Sequence, residues 1–79
     1  MRIKEKRVIV AFHTTHEAMA FEDFCLAGGV PGRLIPLPGE IAAGCGLAYS
    51  SPPENLDLIK TALDEAGIKP QQLVIIEIR

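Results

Sequence analysis

Two of the 79 residues are cysteines, Cys25 and Cys45, and they sit in very different surroundings. Cys45 stands between Gly44 and Gly46 in PGEIAAGCGLAYSS, residues 38–51. Thiol chemistry needs access to the sulfur, a thiolate, and room for an attacking or leaving group in line with it. Flanking glycines provide the access and the room, and backbone N–H groups in such a turn can stabilise an anion. Cys25 instead joins Ala18 and Phe21 on an apolar stripe at helical spacing, where a free cysteine behaves as a small hydrophobe. Cys45 is therefore the candidate nucleophile. Its rival reading is a small residue packed in a turn beneath the end of a sheet.

The other groups able to do chemistry are few. His13 and His16 lie three apart with two threonines between them. They can share a helix face, but zinc wants three or four ligands, and the remaining donors would be distant cysteines. A base role toward Cys45 conflicts with the expected topology, in which the third strand runs parallel to the first. The histidines would then sit at the opposite end of the sheet from Cys45, about 15 Å away at ~3.3 Å per residue. Glu40 precedes Cys45 by five residues and is a turn residue or an orienter of the thiol loop; a carboxylate beside the sulfur would raise its pKa. Arg33 is the nearest basic residue along the chain and is expected to approach the loop from its strand. The GxG around Cys45 leads into a strand, not a helix, so it is no phosphate cradle.

The elements that must position Cys45 follow from periodicity. RVIVAF, residues 7–12, is the β-branched, nearly all-apolar run of a central strand. Thr14 and Glu17 have capping-box spacing, so a helix starts near Thr15 and ends at Gly28-Gly29. GRLIPL reads as a second strand, which Pro36 demotes to a sheet edge. LAYSS is the third strand. Ser51, Pro52, Pro53 and Glu54 again have capping-box spacing with proline in the first turn. Leu56, Ile59, Leu63 and Ala66 then mark a helix closed by Gly67 and Pro70, and LVIIEI is the last strand. The order β-α-β-β-α-β implies one α+β domain over residues 1–79. It is a two-layer, ferredoxin-like sandwich: a four-stranded sheet in the order 4-1-3-2 with both helices on one face.

Composition narrows the function classes. A hydrophobic fraction of 48% with 23% charged residues belongs to a folded globule. A net charge of −2, one tyrosine and three phenylalanines offer little to nucleic acid or to an anionic membrane. The apolar VIVAF run is too short for a secretory signal or a membrane span. The chain is thus expected in the cytoplasm, where thiols stay reduced, and the two cysteines read as separate thiols.

Three stretches, FHTTHEAMAFEDF, GVPGRLIPLPGEIAAGCGLAY and ALDEAGIKPQQLVIIE, resemble the small bacterial and archaeal Se/S carrier protein-like family, from about Val8 to Glu77. The most specific part is the run P-x-x-I-x-x-x-C-G-L-A. It carries over Pro38, Glu40, Ile41, Cys45 and Gly46, and a Thr-His pair maps onto Thr15 and His16. Where the family pattern has arginine this chain has Gly39, and where it has serines it has Ala42, Ala43 and Gly44. Activation of the thiol then falls to backbone amides. The resemblance implies a sulfur or selenium carrier, more a stoichiometric shuttle than an enzyme, holding the chalcogen on Cys45 as a persulfide-type adduct. Pro38, Glu40, Ile41, Gly44 and Gly46 shape the loop, and no bound cofactor or metal is needed. A cysteine desulfurase-like donor and a sulfur- or selenium-using acceptor are the implied partners. The alternative is a non-catalytic interaction module whose sheet pairs with a partner or with a second copy.

Overall fold

The computed structural model describes residues 5–39, 41 and 46–78. Among these the strands are β1 (Glu5–Ala11), β2 (Arg33–Pro36), β3 (Leu47–Ser51) and β4 (Gln72–Ile78). Helix α1 spans Thr15–Gly28 and helix α2 spans Leu56–Ala66, the latter entered through a 3-10 turn at Pro53–Asn55. The sheet order is β2-β3-β1-β4, the 4-1-3-2 arrangement of the ferredoxin-like fold. Every neighbouring pair is antiparallel.

β1 lies between β3 and β4, and Val8, Ile9, Val10, Ala11 and Phe12 are all fully buried. Its alternation divides the interior into two clusters. Val8, Val10 and Phe12 pack with Tyr49 against Ala18, Phe21 and Cys25 of α1 and Ile59, Ala62 and Leu63 of α2. Ile9 and Ala11 point the other way and pack with Ala48 and Ile41. Both helices thus cover one face. The other face is covered in part by Ile41, which comes from the connection between β2 and β3. On the helical side Phe21 meets Phe12 at a ring-centroid distance of 5.6 Å and meets Tyr49 edge-on at 5.0 Å.

Local chemistry fixes the ends of α1. The Thr14 side chain accepts a bond from the Glu17 N–H at 3.1 Å, and Gly29 closes the helix in the left-handed conformation at φ 72°. The second capping-box expectation fails. Ser51 is the last residue of β3, and its hydroxyl donates to the Pro31 carbonyl at 2.6 Å while accepting from Asn55 Nδ2 at 3.3 Å. The serine ties the α1–β2 connection to the sheet, and the chain needs the extra 3-10 turn before α2 can begin. Gly32 in that connection has φ 149°, and an added Cβ would collide with the Tyr49 ring and lie 2.7 Å from the Ser50 carbonyl. No described helix is long and apolar enough to cross a membrane.

Candidate functional site

The connection from β2 to β3, residues 37–46, carries the proposed thiol. Its base is closed by the Leu37 N–H donating to the Gly46 carbonyl at 3.0 Å. Within it the Ile41 N–H donates to the Pro38 carbonyl at 3.0 Å, so the chain turns sharply just after the proline. Ile41 is only 5% exposed and packs on Ile9, Ala11 and Ala48. An apolar residue in a polar-looking loop is explained by this contact: it pins the loop to the helix-free face. Burying an isoleucine side chain stabilises such an arrangement by about 1.5–3 kcal/mol. Gly46 is exposed, and a Cβ added there would meet nothing within 4 Å. Pro38 and Ile41 are joined by the turn bond, and Gly46 closes the base of the connection. Glu40, Ala42, Ala43, Gly44 and Cys45 lie outside the described residues.

The other cysteine is accounted for by packing. Cys25 is fully buried on α1 among Phe21, Tyr49 and the residues of the helical-side core. Burial pushes its thiol above the ordinary value, and the hydrogen bond from Tyr49 only partly offsets that. The tyrosine hydroxyl is raised in turn, first by burial and then by the thiol beside it. A thiol held protonated in the core is not a nucleophile.

The structure overturns the expected placement of the histidines. β1 and β3 are antiparallel, with Val8 opposite Ser51 and Ala11 opposite Ala48. The reason lies in the connections. The α1 crossover returns β2 parallel to β1, and the β2–β3 hairpin then reverses the chain. The end of β1 and the start of β3 share one pole of the sheet, so His13 follows β1 at the end where Gly46 leads into β3. Arg33 is displaced in the opposite sense. It pairs with Ser50 at the far end of β2, while Pro36 pairs with Leu47 beside the loop. The basic group expected near the loop is therefore about three residues, roughly 10 Å, away along the strand.

The same pole gathers several other ends. α1 begins there, the α2–β4 connection with Lys69 arrives there, and the Gln71 N–H donates to the Ala11 carbonyl at 2.8 Å. The β1–α1 turn is held by the Glu17 carboxylate, which accepts from the His13 N–H at 3.2 Å. The sequence shows Glu17 as a capping residue, and in the structure its carboxylate reaches back to the His13 N–H, one residue before the Thr14 cap. Both imidazoles are exposed. Among the described residues no group of three or more His, Cys, Asp or Glu side chains could hold a metal ion.

Residues 7–75 match the family described as "Putative Se/S carrier protein-like". The chain belongs to this family. The match runs from β1 into β4 and includes the whole 37–46 connection. No curated protein and no solved structure matches the chain.

Proposed function

We propose that this member of the Se/S carrier protein-like family carries sulfur or selenium on Cys45. The supporting observation is the family match across the glycine-flanked thiol, in a chain whose other cysteine is sealed in the core. The Cys45 thiolate attacks the outer sulfur of a donor persulfide. A new S–S bond forms on Cys45, the donor's S–S bond breaks, and the donor leaves as a thiolate. The transferred sulfur keeps its oxidation level, so the step needs no oxidant or reductant. Discharge to an acceptor thiolate is the same exchange in reverse. A cysteine desulfurase-like protein is the matching class of donor, and a sulfur- or selenium-using enzyme the matching acceptor.

A second reading, an interaction module, is favoured by β4. Among the described residues this seven-residue strand pairs with β1 alone, and Ile75 on it is 45% exposed. The free edge offers N–H and C=O groups to a further strand, from a partner or a second copy.

The deciding experiment loads the protein with a desulfurase and cysteine and weighs it intact. One added sulfur atom, released by a thiol reductant and lost in Cys45→Ser but retained in Cys25→Ser, is the expected result. No Cys45-dependent adduct would refute the carrier reading and leave the interaction module, whose function survives Cys45→Ser.

A further inference from the structure

We propose that β4 pairs antiparallel with β4 of a second copy about a two-fold axis at Ile75, an inference that rests on the reading of β4 as an open edge and is independent of the carrier reading. One bond and the strand registers decide which backbone groups face that edge. The Leu37 N–H donates to the Gly46 carbonyl at 3.0 Å, in line with Pro36 opposite Leu47. Along an antiparallel strand, successive residues bond to opposite sides. Ile35 and Arg33 therefore bond to Ala48 and Ser50, which leaves Tyr49 and Ser51 to bond to Val10 and Val8 of β1. Arg7, Ile9 and Ala11 then bond to Ile76, Val74 and Gln72. Leu73, Ile75 and Glu77 turn their N–H and C=O groups away from β1.

The two edges of the sheet differ. The same alternation turns Leu34 and Pro36 outward on β2, and proline has no N–H to offer. Pro36 thus blunts that edge. From Gln72 to Ile76, β4 carries neither a proline nor a charge, the usual devices that protect an exposed strand. At its start the Gln71 N–H donates to the Ala11 carbonyl at 2.8 Å and is turned inward. The outward groups therefore run from Leu73 to Glu77, with Ile75 at their centre.

Two such strands complement each other. Pairing about Ile75 sets Ile75 against its own copy and Leu73 against Glu77 in both directions. All three pairs are of the hydrogen-bonded kind, so each outward N–H meets a carbonyl. With the axis at Val74 instead, Glu77 would meet Gln71, whose N–H is already used. Val74 comes to lie opposite Ile76, and both are half-buried in the single chain. Ile75 gains most. Leu73, Val74 and Ile76 pack on the two core clusters, whereas Ile75 is 45% exposed. Charge is compatible as well, since Glu77 stands opposite Lys6 within its own sheet. The two Glu77 residues would be about 14 Å apart along the strands, beyond the ~8 Å reach of charge at physiological salt. A one-strand contact is small beside the roughly 1,200–2,000 Å² of stable interfaces, so the dimer forms only as concentration rises.

Sedimentation equilibrium of the full chain from about 10 to 500 µM should show the mass rising from monomer toward dimer. Ile75→Lys sets two lysines face to face and should leave a folded monomer over that range. Leu26→Lys, at a residue 70% exposed on α1, should associate as the wild type does. Amide exchange read by NMR tests the wild-type edge without relying on either variant. Dilution across that range should speed exchange at Leu73, Ile75 and Glu77 about threefold, while Val74 and Ile76, bonded to β1, keep their rates. A monomer at every concentration would overturn the proposal, as would a dimer that survives Ile75→Lys or edge amides that ignore dilution. A monomer still leaves β4 open to a strand of another protein, so the interaction reading outlives that result. Sulfur loading of Cys45 is a separate measurement, and its failure refutes the carrier reading alone.

Discussion

At the scale of the residue, the two cysteines are set apart by burial. Cys25 loses access to water and to reagents, and burial pushes its thiol above the ordinary value. Native protein should therefore react with a disulfide reagent such as DTNB as a one-thiol protein, the second appearing only on unfolding. A fast second thiol in the native state would contradict the packing. The same shift makes a pH prediction. A group whose folded pKa is raised contributes stability that is fully present below its unfolded pKa and is lost as pH rises through the folded one. Stability measured by urea midpoints should thus decline above about pH 9, where the unfolded chain ionises Cys25 first, and Cys25→Ala should flatten that decline. The role of Cys25 was legible in the sequence, because Ala18, Phe21 and Cys25 repeat at helical spacing. Its contact with Tyr49 was not, since that pair joins residues 24 apart in sequence.

At the scale of the element, periodicity and punctuation located the helices and strands to within about two residues. Thr14 and Gly29 cap α1 as their types suggest, and Gly67 closes α2 at φ 70°. The exception is the entry to α2. Ser51 followed by Glu54 has the spacing of a capping box, yet the serine hydroxyl is drawn to the Pro31 carbonyl, a tertiary bond that local spacing cannot announce. That bond and Gly32 secure the same connection, and they suggest a graded test. Gly67→Ala meets open space and carries only the cost of a left-handed backbone, about 1 kcal/mol. Gly32→Ala adds a collision with the Tyr49 ring and the Ser50 carbonyl and should cost more, on the order of 2–4 kcal/mol. Urea unfolding of the two variants reads the difference; equal losses would mean that the close approach at Gly32 relaxes without penalty.

At the scale of the whole molecule, strand order was legible and strand direction decided the site. Four strands and two helices in a β-α-β-β-α-β series have few compact arrangements, and 4-1-3-2 is the one observed. The direction of β3 follows from the same series: a crossover restores direction and a hairpin reverses it. Read that way, His13 and the 37–46 connection belong to one pole. What no local pattern carries is Ile41. Its neighbours Ile9, Ala11 and Ala48 come from two strands distant in sequence, and its pattern context is that of a loop. The sheet thus separates a thick helical-side core from a thin one that anchors the candidate site, and mutations on the two sides should have different consequences. Ile41→Ala is expected to cost about 2–4 kcal/mol and to alter the alkylation rate of Cys45, because it frees the loop from the sheet. Phe21→Ala should cost a similar about 3–5 kcal/mol by emptying the aromatic cluster, yet leave the alkylation rate of the folded protein unchanged. With no shared partners across the sheet, the double variant should lose the sum of the two within about 0.5 kcal/mol. Combining Phe21→Ala with Tyr49→Ala, whose rings are in contact, should depart from additivity by about 0.5–1.5 kcal/mol. Should Phe21→Ala alter Cys45 reactivity as strongly as Ile41→Ala does, the loop would be governed by global stability and not by its own anchor on the helix-free face.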